Sequence, residues 1–145
     1  VPRVATARQL NRITSIILDS AFAVHSALGP GLLESAYARC LLLELVARNL
    51  RVEIQKPLPL RHRGVTIDSA YRADLVVENE VLIEVKALET LAVIHKRQIR
   101  TYLRIGRYRV GLLLNFGAAT MKEGIVRVVN GFPDEEDGGE TEGSR

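Results

Sequence analysis

Apolar residues recur at Leu10, Ile13, Ile17, Ala21, Val24 and Leu28. That i, i+3, i+4, i+7 spacing predicts an amphipathic helix over residues 7–28. Gly29-Pro30-Gly31 ends it, with glycine at the C-terminal cap and proline just beyond. A second helical pattern covers residues 32–49. Leu33, Tyr37, Leu41, Glu44 and Leu45 fall along one side, while Leu42, Leu43 and Val46 widen the apolar surface. Such width predicts burial on more than one side. After Asn49 the period falls to two. Val52, Ile54, Leu58 and Leu60 predict a strand over residues 51–60, with Pro57 and Pro59 pushing its second half toward a sheet edge. Residues 61–64 read as a turn and residues 65–67 as a short strand.

The chain is organised around residues 70–86, AYRADLVVENEVLIEVK. Leu75-Val76-Val77 and Val81-Leu82-Ile83 are unbroken apolar runs, which predicts two strands covered on both faces. With a loop of Glu78-Asn79-Glu80, Val77 pairs with Val81 and Asp74 falls opposite Glu84. An even loop without a bulge would separate the two carboxylates onto opposite faces. Glu84 and Lys86 share a face, with Val85 turned the other way.

Beyond Lys86, Thr90 is placed to cap a helix over residues 91–105, its apolar face carrying Leu91, Ile94, Ile99 and Leu103. Gly106 stops it. Residues 108–116 then predict a buried strand and residues 125–129 a last short one. The order α-α-β-β-β-β-α-β-β predicts one α/β sandwich over residues 1–132, a mixed central sheet flanked by helices. The Gly- and acid-rich tail over residues 133–145 predicts disorder.

Composition adds little until charge is divided. No apolar run approaches a membrane span, and no charged-then-apolar signal segment opens the chain. The lone Cys40 excludes an intrachain disulfide and a cysteine-based zinc site, and its apolar helical setting predicts a small buried hydrophobe. A cytoplasmic location is expected. From Pro133 onward six acids face one base, a net −5, so residues 1–132 carry +8 of the +3 total. A basic body suits a polyanion.

Candidate chemistry lies in Asp74, Glu84 and Lys86. Two carboxylates on one face, with the Val85 backbone carbonyl as a further oxygen, form a hard site for Mg²⁺ or Mn²⁺. A metal there polarises a phosphoryl oxygen and activates water. Lys86 orients that water or stabilises developing charge. The plain alternative is an ion-paired hairpin in which Lys86 neutralises both acids. Glu34 has two readings, a favourable charge in a helix first turn or a carboxylate aimed into a site. Gln98 and Tyr102, four apart, share a helix face. His25 and Asn115 suit hydrogen bonding at a helix end and a strand end.

An acid on a flanking helix, then D…ExK on a hairpin, then a helix, resembles the PD-(D/E)xK nuclease superfamily. Gln98 and Tyr102 resemble the QxxxY motif of its exonuclease-like branch. Gly31-Leu32-Leu33-Glu34-Ser35-Ala36-Tyr37 is similar to the signature of the GxxExxY protein family, as are Val24-His25, Tyr71-Arg72-Ala73-Asp74 and residues 113–117. The resemblance implies a restriction-endonuclease-like core, α-β-β-β-α-β. It also implies Asp74 and Glu84 as metal ligands, Lys86 as the catalytic lysine, and Glu34 near the same or a second metal. Gln98 and Tyr102 would position water, phosphate or strand. The proline that often precedes the aspartate is replaced by Ala73.

Three functions follow as expectations. The first is a metal-dependent nuclease, with DNA favoured over RNA. The second is a nucleic-acid-binding module without turnover, motivated by Lys96, Arg97, Arg100, Arg104 and Arg107. The third is an interaction subunit, as a homodimer or with a partner protein.

Overall fold

The structure is a computed structural model that describes residues 4–133. The elements run α1 (Ala7–Leu28), α2 (Glu34–Ala47), β1 (Val52–His62), β2 (Val65–Val77), β3 (Val81–Lys86), α3 (Val93–Gly106), β4 (Val110–Asn115), a short 3-10 turn (Lys122–Gly124) and β5 (Ile125–Val129). The acidic tail predicted above lies, from Asp134 on, outside the described residues.

A reciprocal cap starts α1. Gln9 N–H donates to Thr6 Oγ1 at 3.1 Å, and Thr6 N–H donates to Gln9 Oε1 at 2.8 Å. The expected stripe is buried at Leu10, Ile17, Ala21 and Val24. Gly29 ends the helix at φ +67°, its N–H donating to His25 O at 2.7 Å. Gly31 takes φ +115°, a region that favours glycine. The Tyr37 hydroxyl then locks the turn. It accepts from Leu32 N–H at 3.1 Å and donates to Gly29 O. The ring stacks on Phe116, centroids 4.8 Å apart. The signature spacing thus has a physical reading: Gly31 makes the turn, Glu34 begins the helix, and Tyr37 closes both. Tyr37→Phe leaves a backbone donor and acceptor without their partner. It is expected to cost about 1–3 kcal/mol in urea unfolding; an unchanged midpoint would remove the hydroxyl from this role.

The sheet is mixed, in the order β1-β2-β3-β4-β5, with only β3 and β4 parallel. The β3–α3–β4 crossover supplies that parallel pair. Helices α1 and α2 cover one face, packing Leu10, Tyr37 and Leu41 on Ile83, Leu112 and Leu114. Helix α3 covers the other with Ile99 and Leu103 against Leu82 and Leu113. Strands β3 and β4 are buried on both faces, as their apolar runs require. β1 is one of the two edge strands, as Pro57 and Pro59 predicted, and β5 is the other.

Several expectations need correction. The two strands predicted over residues 65–77 are one, β2; the register shifts between Leu58 and Leu60, and Ser69 sits at φ +56°, so a bulge replaces the break. α2 is buried only along Tyr37, Leu41 and Leu45, while Leu33, Leu43 and Val46 are exposed. Helix α3 begins at Val93 with Ala92 as its cap, not Thr90, and Ile94 is exposed. His95 Nδ1 accepts the Ala92 N–H at 2.9 Å, which supplies the cap Thr90 was expected to give. Cys40 is half-buried at the core margin.

Beyond Leu58 and Tyr71, β1 and β2 leave the core. Every residue over 61–72 is exposed. The two strands form a hairpin arm beside the end of β2 that carries Asp74.

Candidate active site

The β2–β3 ladder pairs Val77 with Val81, Val76 with Leu82 and Leu75 with Ile83. The connecting loop is the three-residue 78–80, with Glu78 and Asn79 at φ +52° and +54°. The next step outward sets Asp74 against Glu84, as the odd loop predicted. There the ladder continues through side chains. Asp74 N–H donates to Glu84 Oε2 at 2.9 Å, and Val85 N–H donates to Asp74 Oδ2 at 2.8 Å. Each carboxylate is therefore fixed by the backbone of the opposite strand and keeps a second oxygen for other partners.

Burial makes this pair costly. Glu84 is only 8% exposed. Burial, and next the Asp74 charge, push its carboxyl up to about 8, against the Asp74 N–H and Lys86; Glu34 adds to the rise. Burial also raises Asp74, opposed by the Val85 N–H, Lys86 and the Gln55 side chain. The Tyr102 phenol is raised by burial, then by Glu84, Asp74 and Tyr71. Lys86, Glu34 and Tyr102 are thus coupled electrostatically to the carboxylates, with no hydrogen bond or ion pair to them among the described residues. Gln98 lies exposed one turn before Tyr102 and makes no side-chain hydrogen bond among the described residues.

Lys86 does not neutralise the acids by contact. The ion pairs among the described residues are Arg48–Glu44, Arg51–Glu78 and Lys56–Glu53. None joins Lys86 to Asp74 or Glu84, contrary to the ion-paired reading of the hairpin. The Lys86 carbonyl accepts Phe116 N–H at 2.8 Å, on the β4 side. Neighbouring peptide groups in a strand alternate, so the Val85 carbonyl faces the β2 side, where Asp74 stands.

The segment after Lys86 is held by Asn115. Its Oδ1 accepts from Leu88 N–H at 2.8 Å and Gly117 N–H at 3.1 Å, and its Nδ2 donates to Leu88 O at 2.9 Å. A Cβ on Gly117 would lie 2.4 Å from Leu88 O, so only glycine lets the two segments meet. His25 Nε2 bonds Ala118 O at 2.9 Å. Both residues therefore serve hydrogen bonding, as expected.

The donor set fits a small hard cation. Among the described residues no three His, Cys, Asp or Glu side chains gather into a metal-binding group. Two carboxylates and a carbonyl suit an ion that keeps several waters, and a cation would relieve the charge that holds Glu84 protonated. Sequence reasoning missed Gln55 and Tyr71. Gln55 stands across from Asp74, bracketed by the pairs Ile54–Leu75 and Lys56–Ala73, at φ +47°. Tyr71 meets Tyr102, ring centroids 5.4 Å apart. Alternation marked neither residue as near the site; only the register of β1 on β2 and the docking of α3 do.

Comparison with known proteins gives one family. The model described as PD-(D/E)XK nuclease superfamily matches residues 11–128. The crystal structure of SSO0001 is similar at 20% identity, covering 86% of this chain and 81% of that chain, with a TM-score of 0.38. No curated protein matches significantly. Among the described residues no helix is long and apolar enough to cross a membrane.

Proposed function

From the premise that the chain belongs to the PD-(D/E)XK nuclease superfamily, we propose that it hydrolyses phosphodiesters of nucleic acid, DNA in preference to RNA, with Mg²⁺ or Mn²⁺. The observation that carries this is the Asp74–Glu84 pair, half-buried and buried respectively, locked by two backbone N–H groups and without a contacting cation among the described residues. Gly31, Glu34 and Tyr37 support placing the chain in the GxxExxY group.

Asp74, Glu84 and the Val85 carbonyl would hold the ion, with Glu34 on the flanking helix. When bound, the cation would supply Lewis acidity toward a phosphoryl oxygen. Glu84 would ligate as the carboxylate, its proton released to solvent. Lys86 stabilises charge that develops on the phosphate or orients the attacking water. Tyr102 and Gln98 position the scissile phosphate. The water oxygen bonds to phosphorus as the bond from phosphorus to the leaving oxygen breaks, and one water proton ends on that leaving oxygen, so one product end is a hydroxyl and the other a phosphate monoester.

Calorimetry with Mn²⁺ tests the site without knowledge of the substrate. The native protein is expected to bind, and Glu84→Ala to lose at least about tenfold in affinity. Equal binding by both would move the ion elsewhere. A second reading has its own observation: Lys96, Arg97, Arg100 and Arg104 line α3 in exposed positions, with no acid in that helix. A pure binding module would show salt-sensitive association and no turnover.

A further inference from the structure

We infer that the β1–β2 arm is a docking surface for single-stranded nucleic acid, which extends the active site along the substrate. The inference rests on the nuclease reading for its setting, and on the arm itself for its substance. Leu58 pairs with Tyr71, Leu60 with Ile67 and His62 with Val65. These residues share one face. Leu58 is buried against Ile99 and Leu103, so that face lies on the α3 side of the sheet. Along it Val65 is 61%, Ile67 47% and Tyr71 39% exposed. The face runs into the Tyr71–Tyr102 contact, and the charges of Asp74 and Glu84 reach Tyr102.

A two-stranded ribbon with an uncovered apolar face needs something to cover it. Charge identifies the occupant as a polyanion. Arg61 and Arg72, paired with Thr66 and Pro57, stand on the arm's opposite face, so the charge beside the apolar face comes from Arg63 at the turn and from α3, which carries Lys96, Arg97, Arg100 and Arg104 and no acid; Asp68 is the single acid of the arm. Duplex nucleic acid meets such charge, yet its base faces are stacked inside and cannot cover valine, isoleucine and tyrosine. A single strand offers phosphates and free base faces together. Cations that track a backbone, beside aromatic and apolar groups that receive bases, suit that ligand. The Tyr71–Tyr102 pair is where a base would stack next to the phosphate facing the carboxylates.

The test uses the full chain in chelator, so that binding is read without cleavage. Labelled 20-nucleotide single strands, one DNA and one RNA, are compared with the matching duplexes by fluorescence anisotropy at one salt concentration. Single strands are expected to bind at least about tenfold more tightly than duplexes. The combined variant Val65→Ser, Ile67→Ser and Tyr71→Ala is expected to lose most of that advantage and to leave duplex binding within about twofold. Val65→Leu with Ile67→Leu keeps the apolar face and should retain it. Val65, Ile67 and Tyr71 are all exposed, so these changes leave the buried core intact. Duplexes bound as tightly as single strands, no binding of either, or an unaltered combined variant would each overturn the inference. So would a dimer in sedimentation that the combined variant dissolves, because the face would then belong to a second copy. Mn²⁺-dependent cleavage read separately keeps the two ideas apart. Cleavage with no strand preference overturns the arm alone, whereas strand preference with no cleavage of any probe overturns the nuclease alone.

Discussion

Lys86→Ala is expected to lower phosphodiester cleavage by about a hundred- to a thousandfold, the usual cost of removing one preorganised group that stabilises transition-state charge. The fold should survive. Lys86 is half-buried at the end of β3 and makes no ion pair among the described residues, and its backbone bond to Phe116 does not involve the side chain. Mn²⁺ affinity should stay near the native value, since Asp74, Glu84 and the Val85 carbonyl remain. The three measurements together separate a chemical role from a structural one: turnover, metal calorimetry and thermal midpoint. Cleavage at the native rate would refute the lysine's role. Loss of turnover with a collapsed midpoint would show that Lys86 holds the hairpin instead.

The second large effect is a stability that falls as pH rises. Glu84 is held at about 8 in the native protein against an ordinary 4.5. Between those values the native state keeps a proton that the unfolded chain has released. The stabilisation is complete below about pH 4.5 and is lost as pH climbs toward 8. Each unit of difference is worth about 1.4 kcal/mol, so the metal-free loss is on the order of a few kcal/mol. The raised Asp74 carboxyl acts in the same direction. Urea unfolding in chelator at pH 5, 6.5 and 8 should show the decline, and Glu84→Gln should flatten it. Mn²⁺ at pH 8 should restore the native protein but not the variant, because the cation replaces the proton. A stability that rises across this window, or an equal slope in Glu84→Gln, would contradict the electrostatic account of the pair.

The hairpin was legible because two independent constraints met there. Unbroken apolar runs demanded strands covered on both faces, and an odd loop was needed to set Asp74 opposite Glu84. Helix α1 was legible from its stripe alone. What the sequence could not carry was tertiary. Leu33, Leu43 and Val46 have the pattern of a buried helix side, yet periodicity says nothing about whether a neighbour exists to cover it. The bulge at Ser69 looked like a break, since a change of register and an end of pairing leave the same local trace. Gln55 reaches Asp74 through strand register, and Tyr71 meets Tyr102 through the docking of α3. Glu34 has two sequence readings, and its place in the first turn of α2, with only a small electrostatic effect on Glu84, leaves both open.

The end of β4 binds three separate segments. Phe116 stacks on Tyr37, Ala118 receives His25, and Asn115 grips Leu88. The helix that begins at Glu34 and the strand that ends at Lys86 are thereby fastened to one short stretch of chain. In the language of local opening, they belong to a single cooperative unit. Neither side of the site can fluctuate open without breaking shared contacts. Among the described residues the exposed arm has no such fastening beyond Tyr71, so opening of the arm leaves the contacts of the charged centre unbroken.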